Sequence, residues 1–500
     1  MTLPHINGAR GRAYGELEYT SSLLILTSPL AAGADFDCDC LAPPLGPDND
    51  CHHPDAPWPE GAIAAGPYVR PAGVFTAPLP HGFTLAHSPW AVGPVALGPR
   101  PGRRYARFRQ PAPLRDDTDR RLARLALLRP LDFAPAACAT PPQMLTAWLH
   151  VSNACNLDCP YCYVRKSSER MSLDTGRRAV AAIVRAAAER GFPQVKLKYA
   201  GGEPTLHFTL IQQLHNYAKK LAGQAGLDLR AVVLSNGVAL RPAHADWLAE
   251  QGVKLMLSLD GVGELHNRLR PMRRHAGFDT FAAVEHAVDR VLLPRGVRPD
   301  VSMTVTGLNA HGAADVARWA LLARGLPTGF SFYRPTPLSR SRADLAMEEE
   351  ALLNGLAAAY DAIEADLPTR PFIAGLLDRT AAAAHAHTCG VGQNYLVITH
   401  TGALAQCQMH LGAPVQTDLG GDLLAAVAAG PLRNLPVAEK AGCRDCAFRH
   451  QCAGGCPLET FRATGRWDVR SPNCNLYRAL LPRVWRLEGL RLMKIHGYLR

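Results

Sequence analysis

The chain has 500 residues, with 54 Lys and Arg against 43 Asp and Glu, a net charge of +11. That is too long for one ordinary hydrophobic core and calls for two or three domains. No apolar run reaches the roughly 18 to 20 residues a bilayer-spanning helix needs, and the Leu23–Leu26 run follows Glu16 and Glu18 instead of a basic segment, unlike a secretory signal. A cytoplasmic protein without a membrane partner is expected. The basic excess is mostly arginine, spread over the whole chain, and gives no reason to expect a nucleic-acid partner. In a reducing compartment, the fourteen cysteines read as metal or cluster ligands rather than disulfides.

Residues 1–140 are rich in Pro, Gly and Ala, with loop signals such as "LAPPLGPDND". Within them, 70 to 135 has a β-then-α texture, so an N-terminal α+β region is expected. From about 141 to 340, the runs "LTAWLHVS", "VKLKYAGG", "LRAVVLSNG", "VKLMLSLDG", "PDVSMTVTG" and "GFSFYRP" alternate with amphipathic segments at 173–190, 207–222 and 279–292. Such alternation predicts right-handed βαβ units and a parallel sheet, and six units make a partial (β/α)6 barrel of α/β class. Residues 341–385 read as a helical linker. Residues 386–480 are Cys- and Gly-rich with little apolar mass, so bound metal would supply stabilisation that burial cannot. Residues 481–500 read as a basic amphipathic helix packed on the protein.

Directly after the first strand of the alternating region, "CNLDCPYCY" places Cys155, Cys159 and Cys162 in a C-x3-C-x2-C spacing. Three thiolates on one tight loop can hold three irons of a cubane cluster and leave the fourth without a protein ligand. A structural zinc site would need a fourth Cys or His nearby, and none follows in the next forty residues.

On these residues the chain resembles the radical S-adenosylmethionine (SAM) enzymes over roughly 145 to 335. The other family signals fall at successive strand ends: "GGEP" (Gly201, Gly202, Glu203, Pro204), "SNG" (Ser235, Asn236, Gly237), and "SLDG" with Ser258 and Asp260, followed by Arg270 twelve residues beyond Ser258. The resemblance implies that SAM chelates the open iron of a [4Fe-4S] cluster and that one electron releases a 5′-deoxyadenosyl radical, which abstracts a substrate hydrogen. It also implies that these strand ends hold SAM and that Tyr161 packs over adenine, with simple loop packing as its alternative.

Downstream, Cys389-x12-Gly402-x4-Cys407 is followed by Cys443-x2-Cys446-x5-Cys452-x3-Cys456 and then Cys474. This series resembles the SPASM domain, the auxiliary-cluster module of radical SAM enzymes that modify peptides and proteins. By position, Cys443, Cys446, Cys452 and Cys474 would hold one auxiliary Fe–S cluster, and Cys389, Cys407 and Cys456 a second. Where some relatives place a further cysteine, this chain has Ala383, which implies an open iron or a ligand from His385 or His387. Taken alone, 443 to 456 could also be a zinc ribbon. Cys38, Cys40, Cys51 and Cys138, near His52 and His53, fall outside both patterns.

The resemblance implies a peptide-modifying maturase that crosslinks a ribosomally made precursor peptide through a thioether or a carbon–carbon (cyclophane-like) bond, reduced by a flavodoxin or ferredoxin-type donor. In sulfatase-maturating relatives an aspartate follows the cysteine matching Cys407. Here it is Gln408, whose amide cannot accept a proton at neutral pH, so formylglycine formation is disfavoured unless His410 substitutes. A radical SAM enzyme acting on a small molecule is the other reading. The N-terminal region is expected to pair with an extended peptide by strand addition.

Overall fold

The computed structural model describes residues 24–27, 66–88, 91, 93–131, 143–339, 342–381 and 384–499. Cys38, Cys40, Cys51, His52, His53, Cys138 and Ala383 lie outside them, so the expectations placed on these residues do too.

The N-terminal part forms two small antiparallel sheets. One has the order β1 (Ile25–Thr27), β5 (Val95–Leu97), β4 (Thr84–His87), β3 (Phe75–Pro78), and the other the order β6 (Ala112–Pro113), β2 (Pro67–Val69), β7 (Arg129–Pro130). Helices Pro99–Arg107 and Asp117–Arg124 pack beside them around Tyr68, Tyr105, Phe108 and Leu122. Asp116 caps the second helix by accepting from the Asp119 amide.

The central sheet has eight strands. The six that the alternation predicts, β8 (Met144–Ser152), β9 (Gln194–Gly201), β10 (Asp228–Ser235), β11 (Lys254–Ser258), β12 (Asp300–Val305) and β13 (Thr328–Phe332), lie side by side in chain order, all parallel. The sheet does not stop there. β14 (Tyr395–Ile398) pairs parallel with the outer edge of β8, and β15 (Leu404–Ala405) returns antiparallel beside it. The Cys-rich region is thus hydrogen-bonded into the barrel sheet, and its first two sequence-predicted thiol ligands flank strands of that sheet.

Both sheet faces are buried, which is why these strands read as nearly continuous apolar runs. On β8, Leu145, Ala147, Leu149 and Val151 pack under the helices, whereas Trp148 joins an inner cluster with Ala200, Tyr395 and Val397. Helices Leu173–Glu189 and Phe208–Gln224 cross closely at Gly176, where a Cβ would sit 2.6 Å from Leu214. The final helix begins at Cys474 and runs to Ile495, rather than starting after 480. Most of it is buried: it packs against the first N-terminal sheet, with Trp485 against Phe75 and His87.

Candidate active site

The loop leaving β8 carries Cys155, Cys159 and Cys162, all half-buried. Two backbone hydrogen bonds hold it in place, the Asp158 amide donating to the Pro271 carbonyl at 2.9 Å and the Arg273 amide to the Asn156 carbonyl at 2.8 Å, which together make an antiparallel bridge between Leu157 and Met272. The Leu157 amide also donates to Cys155 Sγ at 3.4 Å. Burial pushes the Cys155 thiol up to about 12 and the Cys159 thiol up to about 11. Lys166, paired with Asp158 at 2.8 Å, opposes this at both thiols.

The "GGEP" segment crosses directly behind this loop. A Cβ at Gly201 would lie 2.3 Å from the Ser152 carbonyl, and one at Gly202 2.3 Å from that of Ala154. The close approach lets the Gly202 and Glu203 amides donate to those same carbonyls at 2.7 and 2.8 Å. The Glu203 carboxylate, 1% exposed, accepts from the Thr205 amide and hydroxyl, the Ser235 hydroxyl at 2.9 Å and the Asn236 amide at 2.7 Å. It therefore joins two strand ends, and burial still lifts its carboxyl above the usual range. Pro204 opens the short turn that follows. Asn236 then reaches the thiol loop, donating to Asn156 Oδ1 at 2.7 Å.

At the end of β11, Ser258 stands in register with Ser302. Asp260 is fully buried: Arg270 Nε donates to its Oδ2 at 2.7 Å, the Tyr161 hydroxyl donates to the same oxygen, and the Thr304 amide donates to Oδ1 at 2.8 Å. The Arg270 guanidinium lies 5.7 Å from the Tyr161 ring centroid. The structure thus gathers Tyr161, Asp260 and Arg270 into one cluster, which short motifs in the sequence did not show. Asn309, which donates to the Asp260 and Thr304 carbonyls, was missed because nothing local marks it.

The second group of thiols forms two sets. Cys443, Cys446, Cys452 and Cys474 line one small recess together with Phe448 and Tyr477. Cys389, Cys407 and Cys456 belong to the apolar cluster inside the barrel mouth, beside Trp148 and Tyr163. A zinc ion would hold its thiolates about 3.8 Å apart, from 2.3 Å bonds at tetrahedral angles. No three His, Cys, Asp or Glu side chains among the described residues are grouped for such an ion. Four thiols are also the donor set of an Fe–S cluster, which spreads its ligands over several irons. Of the two histidines before Cys389, His387 has its Nδ1 engaged by Gln393 Nε2 at 2.9 Å, and burial pushes it down to about 4. The amide of His385 donates to the His450 carbonyl.

Between the barrel mouth and the Cys-rich region opens a cleft of about 530 Å³. Tyr163 and His150 line its barrel side, and Gln408, His410 and His400 the other. Gln408 Oε1 accepts from the Tyr395 hydroxyl at 2.8 Å. Burial, then Arg462, lowers the His410 imidazole. His400 Nε2 stands 3.7 Å from Glu169. His150 and His400 were missed in the sequence; His150's inward position on an alternating strand was the available signal.

Residues 149–320 match the family model described as "Radical SAM superfamily". The chain is 27% identical over 149 residues to the cysteine-type anaerobic sulfatase-maturating enzyme of Clostridium perfringens, covering 28% of this chain and 38% of that one. It is 26% identical over 333 residues to the serine-type enzyme of Klebsiella aerogenes, covering 61% and 78%. A match to an uncharacterized Methanocaldococcus jannaschii protein likewise spans only 41% of that protein's length. The structure of native anSMEcpe with bound AdoMet superposes with a TM-score of 0.56 at 18% identity, covering 69% of this chain and 99% of the other. The chain therefore carries a radical SAM domain and is an enzyme, and that domain implies a [4Fe-4S] cluster and SAM. Its matched relatives include protein maturases, and a Cys-rich region follows its barrel. Among the described residues no helix is long and apolar enough to cross a membrane.

Proposed function

We propose that this enzyme is a peptide maturase that installs an intramolecular crosslink, thioether or carbon–carbon, in a ribosomally synthesised precursor. The cleft carries this reading. Its walls come from the segment after Cys162 on one side and the segment after Cys407 on the other, so a peptide held there would lie between the two thiol-bearing regions. Its volume falls within the range of ligand pockets of roughly 300–1,000 Å³.

Cys155, Cys159 and Cys162 would hold the cluster, with the strand ends at Gly201–Pro204, Ser235–Asn236 and Ser258–Arg270 around SAM. Bound there, the reduced cluster and SAM supply a 5′-deoxyadenosyl radical that takes one substrate hydrogen. The chain's own part is positional. Glu203 fixes the strand ends behind the loop, and the inner cluster of Trp148, Tyr395 and Val397 keeps water from the barrel interior. His400 and His410 offer cleft nitrogens that can accept a proton. The two downstream thiol sets would hold two auxiliary Fe–S clusters. The recess of the four-thiol set is edged by Arg449, Arg470 and Arg478, a surface suited to an acidic flavodoxin or ferredoxin-type donor.

Formylglycine formation is the second reading, favoured by the names of the sulfatase-maturating relatives. The amide of Gln408 at the cleft weighs against it. Mass spectrometry of a co-expressed neighbouring precursor separates the two. A peptide that loses two hydrogens and does not react with a hydrazide supports a crosslink, a hydrazide-reactive aldehyde supports formylglycine, and an unchanged peptide sinks both.

A further inference from the structure

The two downstream thiol sets meet at one turn. Cys452 belongs to the four-thiol set and Cys456 to the three-thiol set, and only Ala453, Gly454 and Gly455 separate them, with positive φ of 45°, 81° and 72°. Lys440 is aimed at this turn. It is 2% exposed, and its Nζ donates to the Ala453 carbonyl at 2.7 Å. Its stem lies where a side chain at Gly454 would be: a Cβ there would stand 2.5 Å from Lys440 Cδ and 3.1 Å from Nζ. The Lys440 carbonyl accepts from the Cys443 amide at 3.0 Å, and Thr388, the neighbour of Cys389, donates to the same Ala453 carbonyl at 2.9 Å. Burial lowers the Lys440 amine, and Cys389 and Cys456 of one set and Cys443 and Cys452 of the other oppose this by favouring its charged form.

A buried ammonium is costly unless anionic charge stands near it, and a carbonyl is neutral. With iron bound, the thiolates of the two sets would supply the charge that this position answers. Net charge around an Fe–S cluster is one of the determinants of its reduction potential, and a fixed cation favours the form carrying the extra electron. We propose that Lys440 is a shared cation of both auxiliary clusters, raising the reduction potential of each and coupling the two through one charge. This rests on the reading that both thiol sets hold clusters.

The test uses the full chain, reconstituted with iron and sulfide, as wild type, Lys440→Gln and Lys440→Met. Iron per chain is counted first, and each couple is then followed by redox titration with electron paramagnetic resonance. Gln keeps a donor for the Ala453 carbonyl, and Met keeps only the stem. Both variants are expected to retain the wild-type iron count. At a fixed ambient potential, the ratio of reduced to oxidised cluster should fall at least tenfold for both auxiliary couples, about 59 mV for a one-electron couple. The cluster on Cys155, Cys159 and Cys162 should not move. Unchanged auxiliary potentials in an iron-replete variant overturn the proposal, as does a shift confined to one cluster. Loss of iron in both variants also overturns it, by making Lys440 structural. A wild-type chain with iron for only one cluster refutes the auxiliary-cluster reading instead, and the iron count reveals this before any potential is measured.

Discussion

The loop of Cys155, Cys159 and Cys162 and the Cys-rich region from Cys389 to Cys474 are held by different means. The loop hangs from the ends of a parallel sheet, and its neighbours are satisfied by protein groups: Glu203 by four donors, Asp260 by Arg270, Tyr161 and Thr304. The Cys-rich region has only the short strands β14 and β15 and short helices such as Arg449–Cys452 before its final long helix. It turns through three consecutive positive-φ residues, and its thiols line a recess or an apolar cluster. One is a site placed on a scaffold that folds by burial; the other is an interior that the proposed clusters would complete.

Single cysteine substitutions test that contrast most strongly. Cys159→Ala should abolish release of 5′-deoxyadenosine from reduced protein with SAM while leaving the circular dichroism spectrum and unfolding midpoint near wild type. Cys452→Ala should lose iron together with resistance to limited proteolysis. Removing all iron by chelation should have the next largest effect, with proteolytic cuts appearing first between 389 and 474 while a fragment spanning the barrel persists. If the barrel is cut as early, the contrast fails. Glu203→Ala probes the first region without metal. It strands the buried donors of Ser235, Asn236 and Thr205, at on the order of 1–3 kcal/mol per group, read as a lower urea midpoint in iron-free protein and a raised SAM requirement in loaded protein.

Which parts of this arrangement could be read in the sequence follows from how local their causes are. The six parallel strands were legible because each is a short apolar run between amphipathic helices, and a parallel sheet buried on both faces leaves that pattern. The three thiols of the first loop were legible because they lie within eight residues. The pairing of β14 with β8 was not, because register across some 250 residues leaves no local mark. The ties of Asp260 to Tyr161 and Thr304 were hidden for the same reason, the partners lying 99 and 44 residues away. Lys440 was illegible as anything but one more basic residue until Gly454 proved to be the space through which its stem passes.

The smallest expected effect concerns how far the Cys-rich region leans on the rest of the protein. The helix Cys474–Ile495 starts at a thiol of the four-thiol set, and its Trp485 touches Phe448, which lines that recess, as well as Phe75 and His87 of the N-terminal sheet. His87 is 1% exposed, its ring centroid is 4.1 Å from that of Trp485, and burial pushes its imidazole down to about 4. The unfolded chain holds the same imidazole near 6.5. Between these values the unfolded state binds more protons, so the stability His87 supports is full above about pH 6.5 and is lost as pH falls toward 4, about 2 kcal/mol of it by pH 5. His150 and His450, each lowered to about 4, share the window, so the wild-type urea midpoint should fall from pH 7 to pH 5 more steeply than His87 alone requires. His87→Phe keeps an aromatic face for Trp485 and should flatten part of that slope. If the N-terminal sheet steadies the metal-bound region through this helix, iron-loaded His87→Phe protein should also keep more of its iron at pH 5 than wild type. Equal iron loss would mean that metal alone holds the Cys-rich region, which is the sharper form of the contrast.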